Sequence, residues 1–413
     1  MTEKIMNRGI FFALTCMFFH LCFSGMVYAQ GAAPGPGTTI DKNNYSQYKD
    51  YFPEFFHEAF TTGWEMVAPL KITVQKKTSN PVPAPFLEAT AKNKGKYTLD
   101  SEGYITGGEY KDMVGFPFPD IKPDDKDFAI KFMWNFDYRY KLDDMYAMFM
   151  NYEKRTGESA VISTVESWQL SFQNRMYLDP KPLYETKNGL RSINLLRNVS
   201  PPVQKNFMTL LIRYIDQKDS DATFLYLPSM RRTLRGEAGQ RSTPINSSTQ
   251  APDDFEGGFA GRIPEFTYKY LGEKKIIGLA DAKLGYKDML KVKTDMLPVE
   301  PNGWEIKDVY IFEITPKDSK YPMSKKVIYV DKENYWPYYC AGWDRAGKLW
   351  KVWQTAVTKQ PNAKGDAFPY FKGMLGVDIQ LGYGVQMFAD WEANSKGLKE
   401  SDVSVTSMRR KAR

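Results

Sequence analysis

From about residue 158 onward the chain is a succession of short β-like segments, and several of them are apolar on both faces. Phe224 and Tyr226 alternate with Leu225 and Leu227, Val327 and Tyr329 with Ile328 and Val330, and Leu349 and Trp353 with Trp350 and Val352. A half-exposed antiparallel strand alternates apolar with polar residues. These strands therefore have both faces covered, or one face lines an oily hollow. The segments 160–164, 168–172, 207–215, 223–227, 309–314, 326–330 and 349–355 are rich in β-branched and aromatic residues and are separated by turn residues. Asp331 to Asn334 and Asp344 to Gly347 read as hairpin turns joining the last strands. No helical segment alternates regularly with strands, which disfavours a doubly wound sheet. The expected class is α+β, with a large antiparallel sheet and helices gathered toward the N-terminus.

Those helices are read from capping residues and spacing. Asp41 caps a segment carrying Tyr45, Tyr48 and Phe52, and Pro53 opens another carrying Phe55, Phe56, Ala59 and Phe60. Strand-like sequence runs from Trp64 through Ile72 to Val74, and Pro81, Pro83 and Pro85 predict an extended connection. A second helical block starts at Asp124, places Phe128, Phe132 and Asn135 on one face, and continues over 138–150 with Met145, Met148 and Phe149.

The charge sits mainly at the ends. The formal net charge is +7; residues 396–413 set Lys396, Lys399, Arg409, Arg410, Lys411 and Arg413 against Glu400 and Asp402 alone. The body is close to neutral, which argues against nucleic acid as a partner. Lys4 and Arg8 precede an apolar stretch from Ile10 to Phe23, and Val27-Tyr28-Ala29 supplies small residues where a signal peptidase reads. The expected organisation is a signal peptide over 1–29, a flexible leader over 30–40, a single domain over 41–395 and a basic tail over 396–413, in a protein of the periplasm. Removal of the signal leaves Cys340 as the last cysteine, so no internal disulfide forms. The tail is suited to peripheral contact with an anionic membrane, although frayed, solvated termini are common.

Recognisable catalytic patterns are missing. Only His20 and His57 exist, no G-x-S-x-G elbow or second metal-spaced histidine follows His57-Glu58, and no phosphate-binding glycine loop is present. No metal or cofactor is expected. Asp143-Asp144 and Asp253-Asp254 read as caps or surface charges, because neighbours on a strand point to opposite faces. Arg231, Arg232, Arg235 and Arg241 follow one strand closely. They either form solvated ion pairs, the usual fate of charge runs near turns, or hold an anionic headgroup at the rim of a hollow. Trp304, Trp336, Trp343, Trp350 and Trp353 read as core.

Three strings taken in order carry a resemblance. They are Gly115-Phe116-Pro117-Phe118-Pro119 ahead of a helix ending at Trp134-Asn135, Tyr226 to Arg232 (YLPSMRR), and Tyr329-Val330-Asp331 through Trp343 to Trp350. Together they resemble the bacterial family named domain of unknown function 1329, which is similar to outer-membrane lipoprotein-sorting proteins, over about residues 40–390. The resemblance implies a lipoprotein-carrier-like fold of the LolA and LolB kind, an open half-barrel whose concave face is apolar and plugged by helices. It also implies an envelope exporter of the resistance–nodulation–division type as a partner, and it brings no catalytic residues. The function expected is binding or carriage of a hydrophobic molecule, a lipid or a lipoprotein, without enzymatic activity. The alternatives are a non-catalytic assembly subunit of an exporter and a histidine-independent envelope hydrolase. Phe132, Met145, Phe149, Phe224, Tyr226, Ile328, Val330, Trp350 and Trp353 are the residues expected to line the cavity, with Arg231, Arg232 and Arg235 at its rim.

Overall fold

The computed structural model describes residues 31–236, 240–242, 244, 250–361 and 365–412; the expected signal peptide lies outside them. Its centre is one antiparallel sheet of thirteen strands. In chain order these are β1 (Asp144–Arg155), β2 (Val161–Ser171), β3 (Leu190–Ser200), β4 (Met208–Tyr214), β5 (Ala222–Leu227), β6 (Arg232–Arg235), β7 (Phe266–Leu279), β8 (Trp304–Pro316), β9 (Met323–Asp331), β10 (Pro337–Asp344), β11 (Leu349–Pro361), β12 (Ala367–Asp378) and β13 (Tyr383–Ala393). The spatial order is β6-β5-β4-β3-β2-β1-β13-β12-β11-β10-β9-β8-β7. Two meanders thus meet where the first strand pairs with the last, Phe149 opposite Ala389. Strands β6 and β7 are the two edges, so the sheet is unclosed.

Both faces of β7–β11 are covered, which accounts for their two-sided apolar sequences. On the inner face lies helix α2 (Phe128–Tyr138); the shorter α1 (Ala84–Ala91) precedes it in the chain. Phe128, Phe132 and Phe136 recur every four residues and form one stripe. The Phe132 ring stacks on Phe312 of β8 at 4.7 Å and meets Tyr335 at 4.6 Å. Asn135, fully buried in the same helix, accepts from the Phe118 amide and donates to the Phe118 carbonyl, tying the 115–119 string to α2. On the outer face, Phe55 meets Tyr329 and Phe56 meets Tyr339 at 4.9 Å. The helical pair expected over 41–60 is a series of 3-10 turns, Tyr45–Gln47, Lys49–Tyr51 and Glu54–Ala59, so those turns and α2 cover opposite faces.

Three local expectations are corrected. The helical block read from Asp124 to Met150, as one helix or two, is helical over Phe128–Tyr138 only: Arg139 turns extended (ψ 151°) and Leu142 adopts a left-handed backbone (φ 76°), after which Met145, Met148 and Phe149 belong to β1. The proline run over 81–85 opens α1, because a proline at the first helical positions forfeits no hydrogen bond. Residues 396–412 do not fray. Ser404 caps helix α3 (Val405–Lys411) by accepting from the Ser407 amide at 3.1 Å, and Val403 and Met408 are buried with Leu195, Leu210 and Tyr226 on the outer face of the β1–β6 half. The leader is docked as well, with Thr39–Ile40 paired to Ile72–Thr73. Cys340 is buried on β10 as a free thiol whose pKa burial pushes up to about 12.

The packing predicts that Phe132→Ala destabilises the protein by about 3–5 kcal/mol, the usual cost of deleting a buried ring. Urea unfolding checks this; a change under 1 kcal/mol, roughly the cost of a tolerated volume-conserving swap, would show that α2 is not needed to cover the sheet.

Candidate functional site

Helix α2 stops at Tyr138, and past its end the inner face of β1–β4, β12 and β13 stays open. A cavity of about 300 Å3 lies there. Its walls differ in chemistry because alternate residues of each strand face inward. From β12 and β13 come Tyr370, Met374, Val385, Met387 and Trp391. From β2, β3 and β4 come Ser163, Gln169, Asn194, Asn198 and Thr209, interrupted by an apolar seam of Val165, Leu196 and Leu211. Phe149 on β1 joins the seam to Trp391, ring to ring at 5.1 Å. Two buried acceptors, Asn151 Oδ1 and Gln173 Oε1, have no hydrogen-bond partner among the described residues. Gln173 is only 3% exposed, and both its amide donations go to the carbonyls of Tyr110 and Met113.

One end of the cavity is a floor of ion pairs. Asp137, the penultimate residue of α2, pairs with Arg191 of β3 at 2.5 Å and with Arg213 of β4 at 3.0 Å. Burial raises its pKa, but the two guanidinium groups outweigh burial and hold the carboxyl well below the usual carboxylate range. Arg213 also donates to the Ala260 carbonyl at 2.6 Å, as does Arg241 at 2.7 Å. Glu256 accepts from Arg139 and Lys141 at 2.7 Å each. Lys141 is pushed down to about 8 by burial, although Glu256 opposes that. Burial pushes Glu256 up, and Lys141 and Arg139 override it to hold the group at about 2.

Of the residues expected to line the cavity, Phe149 does so. Phe132, Ile328, Val330 and Trp353 share the inner face but are sealed in the cluster under α2, none more than 1% exposed. Met145 is buried beside the Tyr370 hydroxyl. Phe224 and Tyr226 belong to the outer-face cluster with α3. Trp350 is half-buried and donates to Asp378 at 2.9 Å. Arg231, Arg232 and Arg235 are exposed on the edge hairpin, away from the cavity, whereas Arg241 of the same group reaches it. The residues missed are Asp137, Arg139, Arg191, Arg213, Glu256 and the amide wall. A signal for the first two existed, since Asp137, Arg139 and Lys141 bring charges close together at and just past the end of a mostly apolar helix.

The acidic pairs have structural partners. Asp143 caps the Tyr177 and Leu178 amides, and Asp144 the Ser395 and Leu398 amides, both from buried positions rather than the surface. Asp254 is held between Lys326 at 2.9 Å and Lys351 at 3.3 Å, and Asp253 by Arg241 at 2.7 Å. His57 lies on the outer face against Tyr45 at 5.5 Å, and burial lowers its pKa.

The depressed carboxylate gives a pH prediction. Glu256 contributes stability that is complete above about pH 4.5, where a free glutamate titrates, and is lost as pH falls through its folded value of about 2. Glu256→Gln therefore flattens the fall of unfolding free energy between those pH values. Equal slopes for variant and parent would mean that Glu256 is not paired in solution.

The family described as protein of unknown function (DUF1329) matches residues 39–407. No curated protein matches. A crystal structure from Vibrio parahaemolyticus, described as a candidate outer membrane lipoprotein-sorting protein domain, is 18% identical and covers 68% of this chain and 98% of its own, with a TM-score of 0.50. A DUF1329 family protein from Desulfovibrio piger is 15% identical over 68% of this chain and 97% of its own, with a TM-score of 0.48. A LolA superfamily protein from Nitrosomonas europaea is 12% identical over 66% and 94%, with a TM-score of 0.41. With its matched span running nearly from end to end of the described fold, the chain belongs to the DUF1329 family.

Proposed function

We propose that this protein binds and carries, within the periplasm of the bacterial envelope, a molecule with a single long apolar portion. The observation that supports the reading is the cavity on the inner face of an unclosed sheet, bordered by the seam Phe149, Val165, Leu196 and Leu211 and by Met387 and Trp391. Its size is at the lower end of ligand pockets, roughly 300–1,000 Å3, which suits one acyl or isoprenoid chain. Each methylene moved from water into such a seam gains about 0.8 kcal/mol, so ten of them offer about 8 kcal/mol before ordering costs. Asn151 and Gln173 offer unpaired acceptors, so the ligand carries a hydroxyl or N–H group as well as its chain.

A hydrolase acting through Asp253 or Asp254 is poorly supported, because both carboxylates are buried and engaged with cations. No feature of the cavity argues for the exporter partner implied by the resemblance. Native mass spectrometry of protein purified without detergent tests the carrier reading. The expected result is a lipid-sized adduct that is lost in a Val165→Trp/Leu196→Trp variant whose melting temperature is unchanged. A protein free of adduct that also fails to bind dansyl-undecanoic acid would refute it.

A further inference from the structure

The strand register brings six hairpin turns to one end of the sheet. Arg155 pairs with Tyr383, Thr164 with Ser200, Met208 with Tyr226, Phe266 with Pro316, Met323 with Asp344 and Lys351 with Asp378. The turns over 156–160, 201–207, 228–231, 317–322, 345–348 and 379–382 therefore all project the same way.

Two properties coincide at that end. Of the nine large apolar side chains exposed among the described residues, five lie in these turns or at the first residues of β2: Val161, Ile162, Val203, Met230 and Leu381. Val203 is 89% exposed. Single exposed apolar residues need no explanation, but five gathered at one end of the sheet form a pattern. The same turns carry Lys205, Arg231, Lys317, Lys320, Arg345 and Lys348, all exposed, against Glu158 and Asp318. None of the six bases is ion-paired to a carboxylate among the described residues. The turn over 215–221 at the opposite end carries Asp216 and Asp219 against Lys218, its Asp221 side chain being buried against Arg213 and Arg241. Helix α3 adds to the basic end: Asn206 donates to the Ala412 carbonyl at 3.1 Å, which places Arg409 and Arg410 nearby.

We infer that this end docks on an anionic phospholipid surface, with Val203, Met230 and Leu381 entering the headgroup layer and the surrounding bases meeting phosphates. Apolar tips amid lysine and arginine are the chemistry of a peripheral membrane contact. A protein partner would need a matching acidic surface with apolar pockets, whereas a bilayer accepts scattered tips of any spacing. The cavity extends toward this end, since Glu153, Ser163, Asn198 and Gln204 of the 201–207 turn are among its lining residues. The docked orientation therefore turns that side of the cavity toward the lipid.

Flotation with vesicles tests the inference. Phosphatidylglycerol-rich vesicles bind the protein, pure phosphatidylcholine vesicles bind it far more weakly, and added salt releases it. A Lys205→Gln/Lys320→Gln/Lys348→Gln variant loses on the order of 100-fold in partitioning. A Val203→Asn/Met230→Ser/Leu381→Asn variant weakens binding at every salt concentration. All six positions are exposed, so the melting temperature stays constant as a check on folding. Failure to bind anionic vesicles, or binding that both variants leave intact, would overturn the docking surface. The carrier reading is judged separately by the adduct: an occupied cavity with no vesicle binding removes the surface alone, and vesicle binding with an empty cavity removes the carrier alone.

Discussion

Helix α2 is too short to cover the inner face of thirteen strands. Its eleven residues span about 16 Å at 1.5 Å per residue. Twelve strand intervals spread over about 57 Å at 4.7–4.9 Å each. Phe128 and Phe132 are therefore spent on Tyr270, Tyr310 and Phe312, and Phe136 on Phe259, in the cluster where Ile328, Val330 and Trp353 are sealed. Beyond Tyr138, among the described residues, only the short helical turns Pro252–Asp254 and Phe255–Gly258 continue the cover. An inner face that stayed apolar there would invite collapse or self-association. Amides and hydroxyls on β1–β4 replace the apolar lining, and the cavity results from helix length and strand composition together.

The chain between the two edge strands crosses this boundary. Residues 250–262 lie over the inner face and are pinned to both halves: Asp254 to Lys326 of β9 and Lys351 of β11, the Ala260 carbonyl to Arg213 of β4. The approach is close. Gly258 has a left-handed backbone (φ 102°), and a Cβ there would sit 2.6 Å from the Cβ of Cys340. Charges buried this deeply do not add much net stability over apolar substitutes, but removing one partner costs several kcal/mol. Their effect is to fix where the segment sits. Asp137, Arg191, Arg213, Arg241 and Glu256 belong to one connected set of pairs, so the end of α2, the crossing segment and β3–β4 are located relative to one another by hydrogen-bond geometry.

How far the sequence revealed this follows from the range of each interaction. The hairpins at Asp331 and Asp344 were legible because their turn chemistry is local: Asp331 accepts from the Glu333 and Asn334 amides, and Asp344 from the Ala346 and Lys348 amides. The antiparallel sheet was legible from strand composition, and its carrier-like architecture came through the family strings. The helix wrongly extended through Met145, Met148 and Phe149 had the right spacing. It failed because the backbone at Arg139 and Leu142, which no periodicity encodes, turns the chain into β1. The cavity was the least legible feature. Phe132, Ile328, Val330 and Trp353 have the composition of a ligand-binding wall and are filled by one another. The residues that border the open space, Asn194, Asn198 and Thr209 among them, look like ordinary surface strand positions until the fold bends them inward.

The mixed lining also bears on a problem that the proposed carrier would face between cargoes. A cavity walled only by hydrocarbon stays dry when empty and loses contacts on every side. One bordered by Gln169, Asn194, Asn198 and Thr209 can hold water through hydrogen bonds at little cost. The seam of Phe149, Val165, Leu196 and Leu211 then gains when a chain displaces that water, while the amides across from it keep their polar partners. With water or ligand on Gln169, Asn194, Asn198 and Thr209 in either state, the free-energy difference between filled and empty depends on the apolar seam and on the unpaired acceptors of Asn151 and Gln173. In the proposed carrier, a seam of four side chains would bind one chain firmly enough to retain it and weakly enough to yield it to a bilayer, whose interior buries the same methylenes more completely.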